Sequence, residues 1–197
     1  MYKHLHVFQM NRKVTAVALP FEVDSIIEDW HNLRKIMIKN IPAEFTRDEW
    51  AYLIAFLAKE NLHQPFDSTF GNPLTTPSKP VSYLARPRGN IGLWLPNNVS
   101  LLGPLMLVLL GLSGNPIRAK AGSQSENLTG IFLNFALQNL PECQLKEFLA
   151  ERVTIECFDR SDPRNQEMAA ESSIRIAFGS DEAVKAIDSM PHPVESV

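Results

Sequence analysis

From Gly89 onward the chain alternates short apolar segments with longer amphipathic ones, and this alternation constrains the fold more than any other feature. The short segments have the length of buried strands, and the segments between them carry apolar residues at helical spacing. We predict four strands, at 91–95, 117–121, 153–158 and 174–178. Because a helix follows each strand, the strands should run parallel and be joined by right-handed crossovers. The sequence therefore predicts an α/β fold with a doubly wound, mainly parallel sheet.

Four helices are predicted to alternate with these strands. They are expected at 100–112, 125–140, 165–172 and 181–190. The Gly114-Asn115 pair ends the first of them in the manner typical of a helix C-terminus.

The part of the chain before Gly89 has a different character. Residues 5–17 predict two short β segments that form a hairpin. A helix is expected to begin with Asp24 or Ser25 as its cap. We therefore expect residues 1–88 to form a segment of helices and a hairpin that packs on the core.

Thr46 and Glu49 have the spacing of a capping box, which predicts a second helix in this part of the chain. Residues 64–88 are rich in Pro, Ser, Thr and Gly, and we expect them to form an irregular connection. Residues 89–197 then form the α/β domain, which is expected to bind a dinucleotide.

Composition argues against several classes of protein. The 197 residues are 45% hydrophobic and 21% charged, which is ordinary for a folded domain. The net charge of −3 and the lack of any Lys or Arg run argue against nucleic-acid binding. The most apolar stretch, 101–112, is too short to span a bilayer and is interrupted by Gly103 and Pro104. The two cysteines form no disulfide framework, so a cytoplasmic setting is expected.

Polar or flexible residues follow three of the predicted strands. Asn98 follows Pro96 in a turn, Lys120 ends an apolar strand, and Gly179-Ser180 precedes a helix. Because ligands bind where the carboxyl ends of parallel strands meet, we expect a nucleotide crevice there. An amide can donate to an oxyanion, and a helix N-terminus attracts phosphate. Taken singly, the same residues also fit a turn asparagine, a solvated strand end and an ordinary helix cap.

Other reactive residues give weaker signals. The chain has no Gly-rich dinucleotide or P-loop motif, and no metal site is predicted, since His4 and His6 lack a third ligand. We predict that Cys157 is a small core residue within a strand. Cys143 lies beside the acidic Glu142, which would not lower a thiol pKa, so neither cysteine is expected to be an activated nucleophile.

The order and spacing of the segments around Asn98, Lys120 and Gly179-Ser180 resemble the aldehyde dehydrogenase superfamily. Within it, they look most like the acyl-CoA (fatty-acid) reductases of the bacterial luminescence type. The resemblance covers residues 89–190. It implies a Rossmann-like cofactor domain and an NADPH-dependent oxidoreductase of fatty acid metabolism, which reduces an acyl thioester to an aldehyde.

The resemblance also implies a role for each motif. The amide of Asn98 would help to hold the oxyanion, and Pro96 would shape the turn beside the cofactor. Lys120 would contact the adenosine ribose. The cofactor pyrophosphate would meet the helix N-terminus at Gly179 and Ser180.

Two departures from the family pattern alter these expectations. Many NAD-using members carry a glutamate at the position of Ser123, where it bonds the ribose hydroxyls. Since a carboxylate would repel a 2′-phosphate and a serine would not, we expect NADPH to be preferred, with NADH also accepted. The family's nucleophilic cysteine follows the Gly-Ser helix, whereas Cys143 and Cys157 precede it. The resemblance therefore implies the cofactor-binding part of such an enzyme, without its catalytic cysteine domain and inactive by itself.

Two other functions remain open on the sequence. One is a non-catalytic α/β module that binds a phosphate or mononucleotide at Gly179-Ser180 without help from Lys120. The other is a fragment of an NAD(P)-dependent aldehyde dehydrogenase that works in the oxidative direction. In the complete enzyme the expected partner is an acyl-CoA or acyl-protein thioester. A homo-oligomer is compatible with the sequence, since residues 5–17 could serve as a pairing arm or as an edge hairpin.

Overall fold

A computed structural model describes residues 22–70, 88–122 and 127–193, and within these ranges the chain forms eight helices and four strands. The helices are α1 (Val23–Met37), α2 (Arg47–Phe56), α3 (Lys59–Phe70), α4 (Leu102–Gly111), α5 (Leu128–Asn139), α6 (Gln144–Arg152), α7 (Arg164–Glu171) and α8 (Asp181–Asp188). The strands are β1 (Ile91–Trp94), β2 (Ile117–Ala121), β3 (Val153–Cys157) and β4 (Ile174–Ala177).

The four strands form one sheet in the order β3-β2-β1-β4, and every neighbouring pair is parallel. The chain moves outward from β1 through β2 to β3, and then returns to place β4 on the other side of β1. The direction of winding therefore reverses between β1 and β4, which makes that gap the topological switch point of the sheet. The predicted α/β fold with a doubly wound parallel sheet is confirmed.

The connection from β2 to β3 holds a helix that the sequence analysis did not identify. This helix, α6, follows α5 and runs directly into β3, since Val153 is both its C-cap and the first strand residue. Leu145, Phe148 and Leu149 are its buried residues, and their spacing is that of a helical apolar face. No glycine or proline separates α6 from the strand, so composition gave no boundary between them.

The larger hydrophobic core lies on one face of the sheet. It joins apolar residues of α1 and α2 to those of α4, α5, α6 and the strands. Its centre is aromatic: the rings of Trp30 and Phe132 stack with centroids 5.8 Å apart, and Trp50 meets Phe132 edge-on at 6.4 Å. All three side chains are buried, so the N-terminal helices share one apolar interior with the α/β part.

The other face of the sheet is covered by α7 and α8. Trp94, at the end of β1, packs there against Phe158, Met168 and Ala169. Part-buried residues of β4 and α8, including Ile187, complete this smaller cluster. Helices on both faces explain why the central strand β1 is buried along its whole length.

Two expectations for the N-terminal part were wrong in detail. Helix α1 begins at Val23 after the N-cap Glu22, so Asp24 and Ser25 lie inside its first turn rather than capping it. An acidic residue is favourable there because it faces the positive end of the helix dipole. Residues 64–70 belong to α3 and not to an irregular connection. Pro65 lies in the interior of this helix, where it removes one backbone hydrogen bond.

The capping box is confirmed. The Thr46 hydroxyl accepts from the backbone N–H of Glu49 at 3.2 Å, and the Glu49 carboxylate accepts from the backbone N–H of Thr46 at 3.0 Å. The predicted hairpin at 5–17, the histidines His4 and His6, and residues 71–87 lie outside the described residues.

Candidate functional site

A cavity of about 750 Å³ opens at the carboxyl edge of the sheet, where the switch point lies. We call it the crevice. Residues that end or follow each of the four strands line it, together with side chains of α7 and α8. They are Trp94, Leu95, Pro96, Asn97, Asn98, Lys120, Asp159, Arg160, Ser161, Asn165, Phe178, Gly179, Ser180, Ala183, Ala186, Ile187 and Met190.

The crevice brings together five of the six residues singled out in the sequence. Pro96, Asn98, Lys120, Gly179 and Ser180 all line it, although they come from three separate strand ends. The sixth, at position 123, lies outside the described residues.

The turn after β1 is held close to the end of β2. The backbone N–H of Leu95 donates to the carbonyl of Lys120 at 3.0 Å, which extends the pairing beyond the strands. A side chain at Gly122 would collide with the amide oxygen of Asn97, so this approach requires glycine. Asn98 is exposed at the rim and forms no side-chain hydrogen bond with the part of the chain that the structure describes. Its amide is therefore available to a ligand.

Lys120 presents a half-buried ammonium group to the crevice. Burial lowers its pKa below the ordinary value, and the positive charge of Arg160 lowers it further, while Cys157 and Asp159 act in the opposite direction. The Lys120 Nζ lies 5.6 Å from the centroid of the Phe158 ring. Among the described residues Lys120 has no ion-pair partner, so an anionic ligand would relieve an uncompensated charge.

The start of α8 forms the opposite wall. The hydroxyl of Ser180 caps the helix by accepting from the backbone N–H of Ala183 at 3.4 Å. A Cβ at Gly179 would lie 3.2 Å from the Ala183 side chain, so glycine keeps the approach to this helix end open. The backbone N–H of Phe178 donates to the carbonyl of Trp94 at 3.0 Å, which holds this wall beside β1.

A carboxylate of the chain itself interacts with the start of α8. The pKa of Glu182 is lowered first by its own backbone N–H, then by the Ser180 hydroxyl, and also by the charge of Arg160. These causes describe an anion drawn to the positive end of a helix. A bound phosphate would compete with this carboxylate for the same groups.

The segment after β3 also lines the crevice and was not predicted from the sequence. There, the buried amide of Asn165 donates to the carbonyls of Asp159, Arg160 and Asp162 at 3.0, 3.1 and 3.0 Å. Its side-chain oxygen accepts from the indole N–H of Trp94 at 3.1 Å. The signal was available, because polar residues directly follow this predicted strand as they follow the other three.

A third cation next to the crevice, Arg164, is already engaged in an ion pair. Arg164 contacts the carboxylate of Asp162 at 2.7 Å, and this arginine holds the pKa of Asp162 at about 2. The Arg164 guanidinium also lies 4.5 Å from the centroid of the Phe158 ring, on which Lys120 rests as well. Since Arg164 is already paired, Lys120 and Arg160 are the cations that the crevice offers to a ligand.

Neither cysteine lines the crevice. Cys157 is exposed, so its predicted place in the core was wrong; it is the last residue of β3, which lies at the edge of the sheet that the described strands form. Cys143 is half-buried, and burial is the main cause of its raised pKa. A raised pKa disfavours the reactive thiolate at this position.

Two features are absent from the described ranges, 22–70, 88–122 and 127–193. Within them, no three or more His, Cys, Asp or Glu side chains are grouped so that they could hold a metal ion. None of the helices there has both the length and the apolar character needed to cross a bilayer.

Comparison with solved structures finds gamma-glutamyl phosphate reductase from Thermotoga maritima. The two chains are 14% identical and superpose with a TM-score of 0.44, over 89% of this chain and 47% of that one. This chain thus spans about half the length of that structure, and a similarity at this level carries no functional argument. No curated protein gives a significant match.

The family model of the acyl-CoA reductases (LuxC) matches residues 19–196. The match includes the motifs at 89–190 and extends over the N-terminal helices, which the motifs alone did not cover. The resemblance drawn from the sequence is confirmed, and the chain belongs to the acyl-CoA reductase (LuxC) family.

Proposed function

We propose that the crevice binds the nicotinamide cofactor of an enzyme that reduces a fatty acyl thioester to an aldehyde, with NADPH preferred over NADH. The observation that carries the proposal is the single cavity shared by Asn98, Lys120 and Gly179-Ser180 at the switch point. This is the position at which doubly wound sheets bind dinucleotides. Membership of the acyl-CoA reductase family supports the acyl thioester as substrate.

The lining of the crevice fits such a cofactor. A volume of about 750 Å³ is within the range of small-molecule pockets. Ala186, Ile187 and Met190 offer an apolar wall suited to a flat base, whereas Lys120 and the start of α8 offer positive charge. The site therefore combines the two surfaces that an adenine nucleotide needs.

Each cofactor-binding residue has a defined task in this proposal. Lys120 and Ser123 hold the adenosine ribose, and the backbone N–H groups after Gly179 and Ser180 receive the pyrophosphate. Pro96 fixes the turn that brings Asn98 to the rim. A serine at position 123 tolerates a phosphate on the ribose, which supports the preference for NADPH.

Asn98 acts on the substrate rather than on the cofactor. When bound, the cofactor would supply a hydride, and negative charge would develop on the carbonyl oxygen of the thioester. The exposed Asn98 amide donates to that oxygen; a donor of this kind contributes roughly 10²–10³ to turnover in other enzymes.

The attacking thiol is proposed to come from another part of the enzyme. Cys143 has a raised pKa, and Cys157 lies outside the lining of the crevice. We therefore propose that this chain by itself binds cofactor without turnover. Cys143→Ala and Cys157→Ala should leave cofactor affinity unchanged.

The test is a titration of the chain with NADPH and with NADH, followed by nucleotide fluorescence, for the wild type and Lys120→Ala. We expect saturable binding that favours NADPH and that is weakened roughly tenfold or more by the substitution, since a charged partner is lost. Lys146→Ala is the matched control, because Lys146 lies on α6 and pairs with Glu142 away from the crevice.

Three results would contradict the proposal. The first is a folded chain, judged by circular dichroism, that binds neither nucleotide. The second is a preference of more than about tenfold for NADH, which corresponds to about 1.4 kcal/mol. The third is binding of inorganic phosphate and mononucleotides that does not depend on Lys120, which would instead indicate a non-catalytic binding module.

A further inference from the structure

Arg160 stands on a rigid part of the crevice wall. It follows β3 in the turn whose carbonyls at 159, 160 and 162 all accept from the buried Asn165 amide. Asn165 is itself fixed by Trp94 at the end of β1. The backbone that carries Arg160 is therefore positioned by the sheet, although its side chain is exposed.

The Arg160 guanidinium is unengaged. Within the described residues it has no side-chain hydrogen bond and no ion pair, in contrast to the neighbouring Arg164, which is bonded to Asp162. An arginine guanidinium presents several N–H donors in a planar fork that matches phosphate oxygens. The unpaired guanidinium of Arg160, on a backbone held in place, is thus well suited to bind a phosphate group.

The position of Arg160 relates it to both cationic features of the crevice. Arg160 lines the same cavity as Lys120 at the end of β2 and Ser180 at the start of α8. In accordance with this position, its charge lowers the pKa of Lys120 and that of Glu182. Asp159 is the carboxylate among the lining residues, and the two cations outnumber it. In the proposed function, the start of α8 binds the pyrophosphate and Lys120 contacts the ribose. Arg160 is therefore a further group that could bind an additional anion.

We propose that Arg160 is a specificity-determining residue that recognises a phosphate monoester on the adenosine ribose of the bound nucleotide. The inference rests on the proposed function, because it assumes that Lys120 lies beside that ribose. The same chemistry occurs in two molecules: the 2′-phosphate of NADPH and the 3′-phosphate of coenzyme A. Their adenosine halves can be tested separately.

The test measures binding of 2′,5′-ADP, 3′,5′-ADP and 5′-ADP by calorimetry to the wild type, Arg160→Gln and Arg160→Lys. We expect the wild type to bind one ribose-phosphorylated nucleotide at least about tenfold more tightly than 5′-ADP. Arg160→Gln should remove most of this advantage and change the affinity for 5′-ADP less than about threefold. Arg160→Lys should restore part of the advantage, because it restores the charge but not the fork.

Arg152→Gln is the matched control, since it removes the same charge at the end of α6, outside the crevice. It should leave the ratio of affinities unchanged.

A preference for 2′,5′-ADP that depends on Arg160 supports recognition of NADPH, and a similar preference for 3′,5′-ADP supports recognition of coenzyme A. The proposal is overturned if Arg160→Gln weakens all three nucleotides equally or leaves the ratio unchanged. If the folded wild type binds no adenosine nucleotide, the proposed function fails as well, so the two failures are distinguishable.

Discussion

The indole N–H of Trp94 donates a hydrogen bond of 3.1 Å to the side-chain oxygen of Asn165, and both residues are buried. Trp94 ends the central strand β1, and Asn165 lies in the first turn of α7. The Asn165 amide also donates to three carbonyls of the turn after β3. One side chain therefore links the switch point of the sheet to the wall of the crevice that carries Arg160.

Asn165→Ala should destabilise the protein and weaken cofactor binding together. The substitution leaves the buried Trp94 N–H without its partner and frees the turn at 159–162, which should lower the free energy of unfolding by about 2 kcal/mol. Urea denaturation measures the change. Asn61→Ala is the control, because Asn61 is exposed and bonds a single carbonyl; it should cost less than about 0.5 kcal/mol. Equal costs for the two variants would contradict this account of Asn165.

Glu182→Gln should tighten the binding of NADPH. The Glu182 carboxylate interacts with its own backbone N–H and with the Ser180 hydroxyl, at the helix start where the pyrophosphate is proposed to bind. Removing its charge removes both a competitor and a repulsion. Nucleotide fluorescence checks the change, and Glu167→Gln on α7 serves as the control. Weaker binding by Glu182→Gln would count against a phosphate site at the start of α8.

Lys120→Met should not lower the stability of the fold. The pKa of Lys120 is lowered by burial, so the unfolded chain holds this proton more tightly than the folded chain does. The half-buried charge therefore costs stability near neutral pH, and this cost falls as the pH rises from the lowered pKa of the folded chain to the ordinary pKa of the unfolded chain. Methionine keeps the length of the side chain and its contact with Phe158, so the melting temperature should not fall. A lower melting temperature would show that Lys120 stabilises the fold instead.

Replacing each of two glycines of α4 by alanine should have different effects on stability. A Cβ at Gly103 would collide with the Thr129 hydroxyl and lie 2.9 Å from a Leu95 methyl group, so Gly103→Ala should lower the free energy of unfolding by about 1–3 kcal/mol. A Cβ at Gly111 would lie 3.6 Å from Phe148, which is an ordinary contact. Gly111→Ala should therefore be neutral or stabilising by about 0.5 kcal/mol, because alanine favours the helix. Thermal unfolding of both variants tests the pair.

Protonation of Glu49 should account for part of the stability that the protein loses in acid. Its pKa is lowered below the ordinary 4.5, first by the hydroxyl of Ser100 and then by Thr46. A carboxyl whose folded pKa is depressed stabilises the fold above its unfolded pKa, and this contribution is lost as the pH falls through the folded value. The difference in unfolding free energy between neutral pH and about pH 3 should thus be smaller in Glu49→Gln than in the wild type. An unchanged difference would contradict the prediction.

The success of the strand predictions and the failure to predict α6 have the same physical origin. The strands at 91–95 and 117–121 were predicted because apolar residues run between Gly, Pro and Asn residues, which act locally on the backbone. The apolar residues of helix α6 have helical spacing, but the helix runs into β3 without such a boundary, and its packing against α1 and α5 is what separates it from the strand. The exposure of Cys157 has a similar cause, since an alternating strand pattern does not reveal that the strand lies at an edge.

The sequence by itself determined the strands, the parallel sheet and the meeting of Asn98, Lys120 and Gly179-Ser180. These follow from local periodicity and from the rule that parallel strands end at one edge. The tertiary structure alone decided the strand order, the helices that cover each face and how the turn that carries Arg160 is fixed. The last depends on the bond from Asn165 to a tryptophan 71 positions earlier. A contact over that separation arises from the packing of elements against each other, and no local pattern of residues encodes it.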